Sequence, residues 1–143
     1  MRELLLTIHI LAAAAWIGGG LFAGVSFSKL ATQMGLGPLR ALDDSVGPKF
    51  FGTAVGVMVL SGAGLVMMSE TVGWGSVFVL VGIAVVVLDG VLEGAVFGPR
   101  LRRIADSETG DVDEFRRTMT WSSASHLALF AFAVWAMVVK LGL

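Results

Sequence analysis

The sequence lacks cysteine and tyrosine altogether, and each absence excludes a class of chemistry. Without cysteine there can be no disulfide, thiolate metal site, iron–sulfur cluster or cysteine nucleophile. Without tyrosine there is no tyrosyl redox centre and no phenolic proton donor. The chain also has no Walker loop, Rossmann fingerprint, HExxH motif or serine-nucleophile elbow. These absences favour a non-catalytic protein over an enzyme.

Charged residues are also scarce. They make up 15% of the 143 residues, whereas ordinary soluble domains carry about 25%. The hydrophobic fraction is 56% and the mean hydropathy is +0.86, values typical of an integral membrane protein whose main partner is the lipid bilayer. A chain of this length suits a single domain. Its formal net charge of −1 gives no indication of nucleic-acid binding.

Four apolar stretches are long enough to cross a bilayer core, which takes about 20 helical residues. They cover residues 4–28, 50–68, 76–98 and 120–140. Because the first stretch is long and Arg2 is offset by Glu3, we interpret it as a retained helix rather than a cleaved signal peptide. The sequence therefore predicts an all-α integral membrane protein, a single antiparallel four-helix transmembrane bundle over residues 1–143.

Three connections join the predicted spans. Residues 29–49 form a polar connection with room for one short interfacial helix, and residues 99–119 form another. Only residues 69–75 separate the second span from the third, which predicts a tight antiparallel hairpin. Asp111 and Glu114 fit the capping pattern of a helix start, so we expect the last helix to begin just after Asp111, before it enters the membrane.

Basic residues are distributed asymmetrically along the chain. The two longer connections hold eight of the ten, namely Lys29, Arg40, Lys49, Arg100, Arg102, Arg103, Arg116 and Arg117. Only Arg2 and Lys140 lie on the other side. Because cytoplasmic loops are enriched in lysine and arginine, the sequence predicts that both longer connections are cytoplasmic and that both termini lie outside.

Two carboxylates interrupt the third span near its basic end. Asp89 and Glu93 are four residues apart, so they project from the same face of a helix. Acids at this depth face protein or water rather than lipid. Counted inward from the ends of the spans, Glu93 and His126 reach the same depth. Asp89 lies one turn deeper, and Ser122 falls in the same layer. This intramembrane polar cluster is either a proton or cation site, or a structural ion-pair network in which Arg100 reaches back to Glu93.

The stretches on the outer side of this cluster are apolar. The third span reads VLVGIAVVVL there, and the fourth reads LALFAFAV. A path for ions needs polar groups that continue across the membrane, and these stretches offer none. We therefore expect a pocket that opens toward the cytoplasm and is closed toward the outside, suited to binding rather than to permeation.

A second group of candidate ligands lies near the outer surface. His9 is six residues into the first span, Met67 and Met68 end the second, and Met137 lies near the outer end of the fourth. Thioether and imidazole ligands together suit copper(I), and imidazole alone suits haem iron. The alternative is that the methionines fill apolar space and the histidine is a buried hydrogen-bonding residue. His9 and His126 lie near opposite surfaces of a core about 30 Å thick, so one chain cannot ligate a haem with both.

The opening HILAAAAWIGGGLF, residues 9–22, resembles the first-span motif of small bacterial membrane proteins related to the copper-resistance CopD domain. The closing WAMVVKLGL is similar to the end of uncharacterised members of that group. Carried over residue by residue, the resemblance points to His9, Trp16, Gly18 and Gly19. It implies a bacterial cytoplasmic-membrane protein that binds copper or, through the more distant HemJ-type protoporphyrinogen oxidases, haem b. This chain has acids where HemJ-type proteins rely on a basic residue in the third span, which departs from the pattern of that enzyme.

Glycine repeats offer another class of function. Gly52-x-x-x-Gly56 and Gly90-x-x-x-Gly94 are spaced like common helix-packing surfaces in membranes. Such surfaces would serve a homo-oligomer or a non-catalytic accessory subunit of a larger membrane complex. The sequence therefore leaves a ligand-binding protein, an accessory subunit and a proton- or cation-binding protein as alternatives.

Overall fold

The computed structural model describes residues 1–107 and 110–139, without the side chains at positions 40–46 and 48. This part of the chain is helical and contains no strand. Its elements are α1 Arg2–Met34, α2 Gly37–Met67, α3 Val77–Val91, a π-helical segment Leu92–Phe97, α4 Gly98–Asp106 and α5 Val112–Val139. Since α3, the π-helical segment and α4 follow one another without a break, four helical units are long and apolar enough to cross a membrane. The predicted all-α four-helix membrane bundle is confirmed.

The helices extend well beyond the predicted spans. α1 continues to Met34 and α2 begins at Gly37, so residues 29–49 are almost entirely helical rather than a polar loop with one short helix. A helix satisfies its own backbone hydrogen bonds, so the chain can leave an apolar layer without exposing unpaired groups. The reversal needs only Gly35, whose φ of 77° lies in the left-handed region that glycine adopts without steric cost. Residue 140, the predicted limit of the last span, lies outside the described residues.

The start of α5 agrees with the predicted capping pattern. The Asp111 carboxylate accepts hydrogen bonds from the backbone N–H groups of Asp113 at 2.8 Å and Glu114 at 3.2 Å. It thereby satisfies two of the amide groups that the first turn of a helix leaves unpaired. α5 begins at Val112 as a result, and its first turn is tied to α4 by a hydrogen bond of 2.9 Å from Arg100 to Glu114.

The third helical unit is not a uniform α-helix. Pro99 has no N–H, and in an α-helix its ring would clash with the carbonyl of Ala95. The backbone widens instead over Leu92–Phe97, and the Gly98 N–H donates to the carbonyl of Glu93, five residues earlier. A Cβ at position 98 would lie 2.6 Å from that carbonyl oxygen, so only glycine fits there. π-helical segments are frequent at functional sites, and this one contains the second carboxylate of the polar cluster.

The order of helix packing differs from the order along the chain. α1 packs on α2 and α5, α3 packs on α5, and α4 packs on α5 and α2. Among the described residues, the backbones of α2 and α3 do not approach each other closely, so the predicted tight hairpin of the second and third spans is wrong. α2 directs Phe50 at Gly19 of α1, whereas α3 turns its buried Asp89 toward α5. The short connection determines where α2 ends and where α3 begins. The side chains of the two helices nevertheless pack on other helices, and a gap separates α2 from α3.

Two apolar clusters hold the bundle together. The central cluster consists of Ala12, Trp16, Ala54, Met58 and Phe130, and the basic-end cluster consists of Ala31, Leu36, Leu39, Ile104 and Phe115. The basic end is the end of the bundle that holds the α1–α2 turn and the segment between α4 and α5, while the terminal end holds the N-terminus and the α2–α3 connection. Because lipid tails are as apolar as these side chains, the clusters stabilise the bundle through close packing. Along α5, Ser122 and His126 lie between Phe115 of the basic-end cluster and Phe130 of the central cluster.

Candidate functional site

A buried hydrogen bond between α3 and α5 forms the centre of the candidate site. Nδ1 of His126 lies 2.9 Å from Oδ1 of Asp89. Asp89 is 4% exposed and His126 is 5% exposed, so the pair is almost fully enclosed. The contact is an ion pair when the imidazole is protonated and a charge-assisted hydrogen bond when it is neutral. In both states each partner satisfies a group that would be costly to bury alone.

The second carboxylate forms its own contact with α5, one turn nearer the basic end. Ser122 Oγ donates a hydrogen bond of 2.6 Å to Oε1 of Glu93. The register thus pairs each carboxylate of the third helical unit with a separate α5 residue, whereas the sequence count placed Glu93 level with His126. The predicted depth of Glu93 is wrong by one turn. The count started from the predicted ends of the third and fourth spans and assumed that both ends lie at the same level. Both helical units in fact continue beyond those ends.

Arg100 has a different partner from the one considered in the sequence. Its guanidinium donates to Glu114 at 2.9 Å, and both side chains are exposed. Arg100 therefore joins α4 to the first turn of α5 at the surface, away from the buried Asp89–His126 pair. Exposed ion pairs of this kind contribute about 0–1 kcal/mol to stability.

The second nitrogen of His126 faces α1. Nε2 is buried and has no hydrogen-bond partner among the described residues, since the nearby backbone carbonyl of Trp16 makes no bond of normal geometry with it. A Cβ on Gly20 would lie 2.9 Å from Nε2, so the ring occupies the space that a side chain would need. The imidazole also packs against the Trp16 and Phe130 rings, each at a centroid distance of 5.4 Å. The result is a firmly held imidazole with one nitrogen unpaired.

The polar residues line a cavity of about 570 Å³ between the helices. All four helical units contribute to its walls. Its polar lining includes Asp89, Glu93, Ser122 and His126, and its aromatic lining consists of Trp16, Phe27, Phe51 and Phe115. Small-molecule sites typically enclose about 300–1,000 Å³, with apolar walls and a few polar groups. The cavity has the size and the lining of a site for an organic ligand.

The cavity occupies the half of the bundle nearer the basic end. Toward the terminal end it stops at Trp16 and Val55, where the central cluster fills the space. Toward the basic end its walls include the apolar Leu101 and Met119, and the exposed Arg102 also contributes to the lining. The polar groups are therefore separated from the terminal end by tightly packed apolar side chains.

Glycines line the gap between α2 and α3. The cavity is lined by three exposed glycines: Gly52 of α2, Gly90 of α3 and Gly94 of the π-helical segment. A Cβ added at any of them would meet no atom within 4 Å. The glycine repeats predicted as packing surfaces are thus unpacked within the described part of this chain. They leave the cavity open sideways, in the direction that the bilayer would occupy.

His9 lies outside this cavity and bonds to α2. Its Nδ1 is 2.9 Å from the carbonyl oxygen of Met58 and 3.3 Å from Ser61 Oγ. Because a carbonyl can only accept, we assign the proton to Nδ1, which leaves a lone pair on Nε2. A Cβ on Gly62 would lie 3.0 Å from the ring, so glycine lets the imidazole approach α2. This geometry suits a hydrogen bond that fastens two helices, and it also suits a metal ligand whose orientation is fixed by its other nitrogen.

The methionines considered as partners of His9 lie on other surfaces. Met67 is 77% exposed, and Met68 is also exposed. They follow Ser61, which His9 contacts, by six and seven residues, or ~9–10 Å along the helix axis. Met137 is exposed as well, and its methyl group lies beside Gly82 of α3. No group of three or more histidine, aspartate or glutamate side chains in the described ranges is placed to hold a metal ion.

The residues indicated by the CopD resemblance fall into different environments. Trp16 is buried in the central cluster and touches His126 of the candidate site. Gly18 is exposed with no neighbouring atom at its missing Cβ, and Gly19 packs closely against α2. The glycine on which the site depends is Gly20, which belongs to the same HILAAAAWIGGGLF motif but is not among the residues to which the resemblance points. A glycine run shows that a close approach occurs, but not which helix or side chain approaches.

Comparisons of the chain with protein-family models, with curated proteins and with solved structures found no match. The resemblance to CopD-related and HemJ-type proteins therefore stays a prediction from the motif around His9. The fold and the site define a four-helix membrane protein with a buried Asp–His pair on the wall of a cavity.

Proposed function

We propose that the protein is a membrane ligand-binding protein whose site is the cavity around Asp89, Glu93 and His126. The observation that supports this most directly is the placement of two carboxylates and an imidazole on the wall of one cavity. Ionisable groups at membrane depth are expensive to bury, and those that are kept there mark substrate or ion sites by default. A pair that only fastened α3 to α5 would not require a cavity beside it. The two apolar clusters hold their helices together by close packing without one.

The packing favours binding over conduction. An ion that crossed the bundle would have to pass the central cluster, whose members are at most 9% exposed. No polar chain through that cluster is evident in the described residues, and the outer parts of the third and fourth spans are apolar. The site is therefore suited to take up and release a ligand or proton on one side of this barrier.

A lipophilic carbodiimide tests whether a reactive acid lies in the cavity. Dicyclohexylcarbodiimide partitions into apolar phases and reacts with protonated carboxyl groups. We expect one adduct per chain, at Asp89 or Glu93, because both acids line the cavity and the gap beside it faces the bilayer. Intact-mass spectrometry measures the adduct, peptide mapping locates it, and the Asp89→Asn or Glu93→Gln variant of the mapped residue should abolish it.

Exposed acids supply the control for this reaction. Glu3 and Glu70 lie outside the cavity, so a charged, water-soluble carbodiimide should modify them and leave the cavity acids intact. The proposal fails if the lipophilic reagent modifies only exposed acids, or if the adduct persists in both amide variants.

A second candidate function is haem b or copper binding through His9. It is favoured by one observation, the bond from Nδ1 to the Met58 carbonyl, which holds Nε2 in a fixed orientation with its lone pair available. The donor set suits a haem with a single histidine ligand from this chain better than copper(I), since the methionines lie about 9 Å or more along α2 or face another helix.

An absorption spectrum and elemental analysis of the purified protein test this candidate. If a cofactor is bound, we expect a Soret band that His9→Ala abolishes, because that change removes the axial ligand. The paired Met67→Leu and Met68→Leu changes are the matched control and should leave the Soret band intact. A purified protein from haem- and copper-supplied cells that shows neither a Soret band nor copper would rule the candidate out.

We further propose that the protein resides in a bacterial cytoplasmic membrane with its basic end in the cytoplasm. The bacterial membrane is supported by the resemblance of residues 9–22 to CopD-related proteins, and the orientation by the eight basic residues of the two longer connections against two elsewhere. In this orientation the cavity occupies the cytoplasmic half of the membrane, and the central cluster seals it from the outside.

A further inference from the structure

We infer that the ligand is a lipophilic organic cation that reaches the cavity sideways from the bilayer, through the gap between α2 and α3. This inference rests on the proposed function, since it names the class of ligand for the same site. Four features of the structure support it: the charge of the cavity wall, its aromatic lining, its volume and the position of its opening.

The charge of the site favours a cation. Two carboxylates, Asp89 and Glu93, and one imidazole lie within one turn of each other on the wall. Among the lining residues whose side chains the structure describes, the other charged one is Arg102, nine residues or ~13 Å further along the helix from Glu93. The described lining thus places two carboxylates in the deep part of the cavity, and Arg102 lies toward the surface. An anionic head group would meet the carboxylates, whereas a cationic one is attracted to them.

An organic cation fits this donor set better than a bare metal ion. Calcium takes six to eight oxygen ligands and magnesium requires near-ideal octahedral coordination. The described residues provide no group of three or more acidic or histidine side chains placed for a metal. A cation with an apolar body needs only one or two carboxylates, provided that the remaining contacts are apolar or aromatic.

The walls provide such contacts. Trp16, Phe27, Phe51 and Phe115 come from four separate stretches of α1, α2 and α5 and surround the space on several sides. Aromatic faces attract organic cations as well as apolar groups. The volume of about 570 Å³ is sufficient for a drug-sized molecule. The cavity thus combines carboxylate side chains with a wall of aromatic rings.

The position of the opening indicates the route. A Cβ at Gly52 or Gly90 would meet nothing within 4 Å, and the backbones of α2 and α3 are apart. On the way to the basic end the walls are lined by Leu101, Phe115 and Met119, which belong to or pack on the basic-end cluster. A ligand dissolved in the bilayer would reach the carboxylates without passing that cluster. A strongly hydrated cation would not enter from the bilayer, because it does not dissolve in the apolar phase.

Binding of tetraphenylphosphonium to the protein in lipid nanodiscs tests the ligand class. Calorimetric titration, with empty nanodiscs subtracted, should show one saturable site. Tetraphenylborate, the anion of the same shape, and tetramethylammonium, a hydrophilic cation, should show none. Glu93→Gln removes one charge with little change in shape, and we expect the affinity to fall about tenfold, as for the loss of one charge-assisted contact.

A second pair of variants tests the route. Gly90→Leu places a side chain at the opening, where no atom now lies within 4 Å, so the fold should tolerate it. We expect tetraphenylphosphonium to associate at least about tenfold more slowly with this variant than with the unaltered protein. Gly18→Leu is the matched control, because Gly18 is equally unhindered but does not line the cavity. It should bind at the unaltered rate.

The outcomes separate this inference from the proposed function. Suppose that a carbodiimide adduct forms at Asp89 or Glu93, but that phosphonium and borate bind equally or neither binds. That result would refute the assignment of a cationic ligand and leave the proposed binding site intact. Phosphonium binding that is unchanged in both Glu93→Gln and Gly90→Leu would place the ligand elsewhere and overturn the inference. Absence of both the adduct and phosphonium binding would overturn the proposed function itself.

Discussion

Replacing Asp89 with alanine is expected to lower the free energy of unfolding by about 3–5 kcal/mol, the loss typical of breaking a buried pair by removing one partner. The reason is that the His126 imidazole would stay buried after its carboxylate partner is removed. His126 would keep its buried position between the Trp16 and Phe130 rings, but Nδ1 would lose its acceptor, and Nε2 already lacks a hydrogen-bond partner among the described residues. The imidazole would then be buried with both nitrogens unpaired. Reversible unfolding in mixed detergent micelles, followed by circular dichroism, measures the change.

Two comparisons show whether the loss comes from the broken pair. Asp113→Ala removes an exposed acid that pairs with Arg116 at 3.5 Å, and it should change stability by no more than about 0.5 kcal/mol. The double variant Asp89→Leu with His126→Leu removes both polar partners, so it should be more stable than Asp89→Ala. A loss below about 1 kcal/mol for Asp89→Ala would mean that the pair is not a structural element of the bundle.

A single cysteine at position 107 is expected to react fully with a membrane-impermeant maleimide from the cytoplasmic side and not at all from outside intact cells. Ser107 is exposed just beyond α4, in the basic connection. The native chain has no cysteine, so the labelling has no background. The expectation follows from the excess of lysine and arginine at this end, which cytoplasmic loops retain during insertion.

Thr71→Cys is the counterpart at the other end of the bundle. Thr71 is exposed in the connection between α2 and α3, and it should react only from outside. Because one helical unit separates the two positions, opposite labelling shows that this unit crosses the membrane. An inverted pattern would refute the orientation, and labelling of both cysteines from the same side would refute the crossing of the third unit.

Much of this architecture can be predicted from the sequence because it depends on local or summed properties. The four membrane helices follow from the length of apolar stretches, and the orientation expected for them follows from where the basic residues stand. The start of α5 follows from Asp111, whose side chain caps amides only two and three residues away. The shared face of Asp89 and Glu93 follows from the helical period alone.

The contacts between helices could not be predicted in the same way. In a soluble helix, a polar face shows which side points to water, but in this chain most faces are apolar and lipid accepts them as well as protein does. The rotation of each helix about its axis is therefore poorly encoded in composition. Chain connectivity is an equally weak guide, since α2 and α3 are joined by a short segment and yet pack on other helices.

The sequence by itself thus determined that this is a four-helix membrane protein with two acids on one face near its basic end. Tertiary structure decided that Asp89 meets His126, that Ser122 meets Glu93 and that a cavity opens between α2 and α3. The physical reason is that a one-turn shift of α5 costs little in backbone hydrogen bonds or apolar burial, so neither can fix its register. That register is set by side-chain packing between helices, in particular by the space at Gly20 that His126 fills.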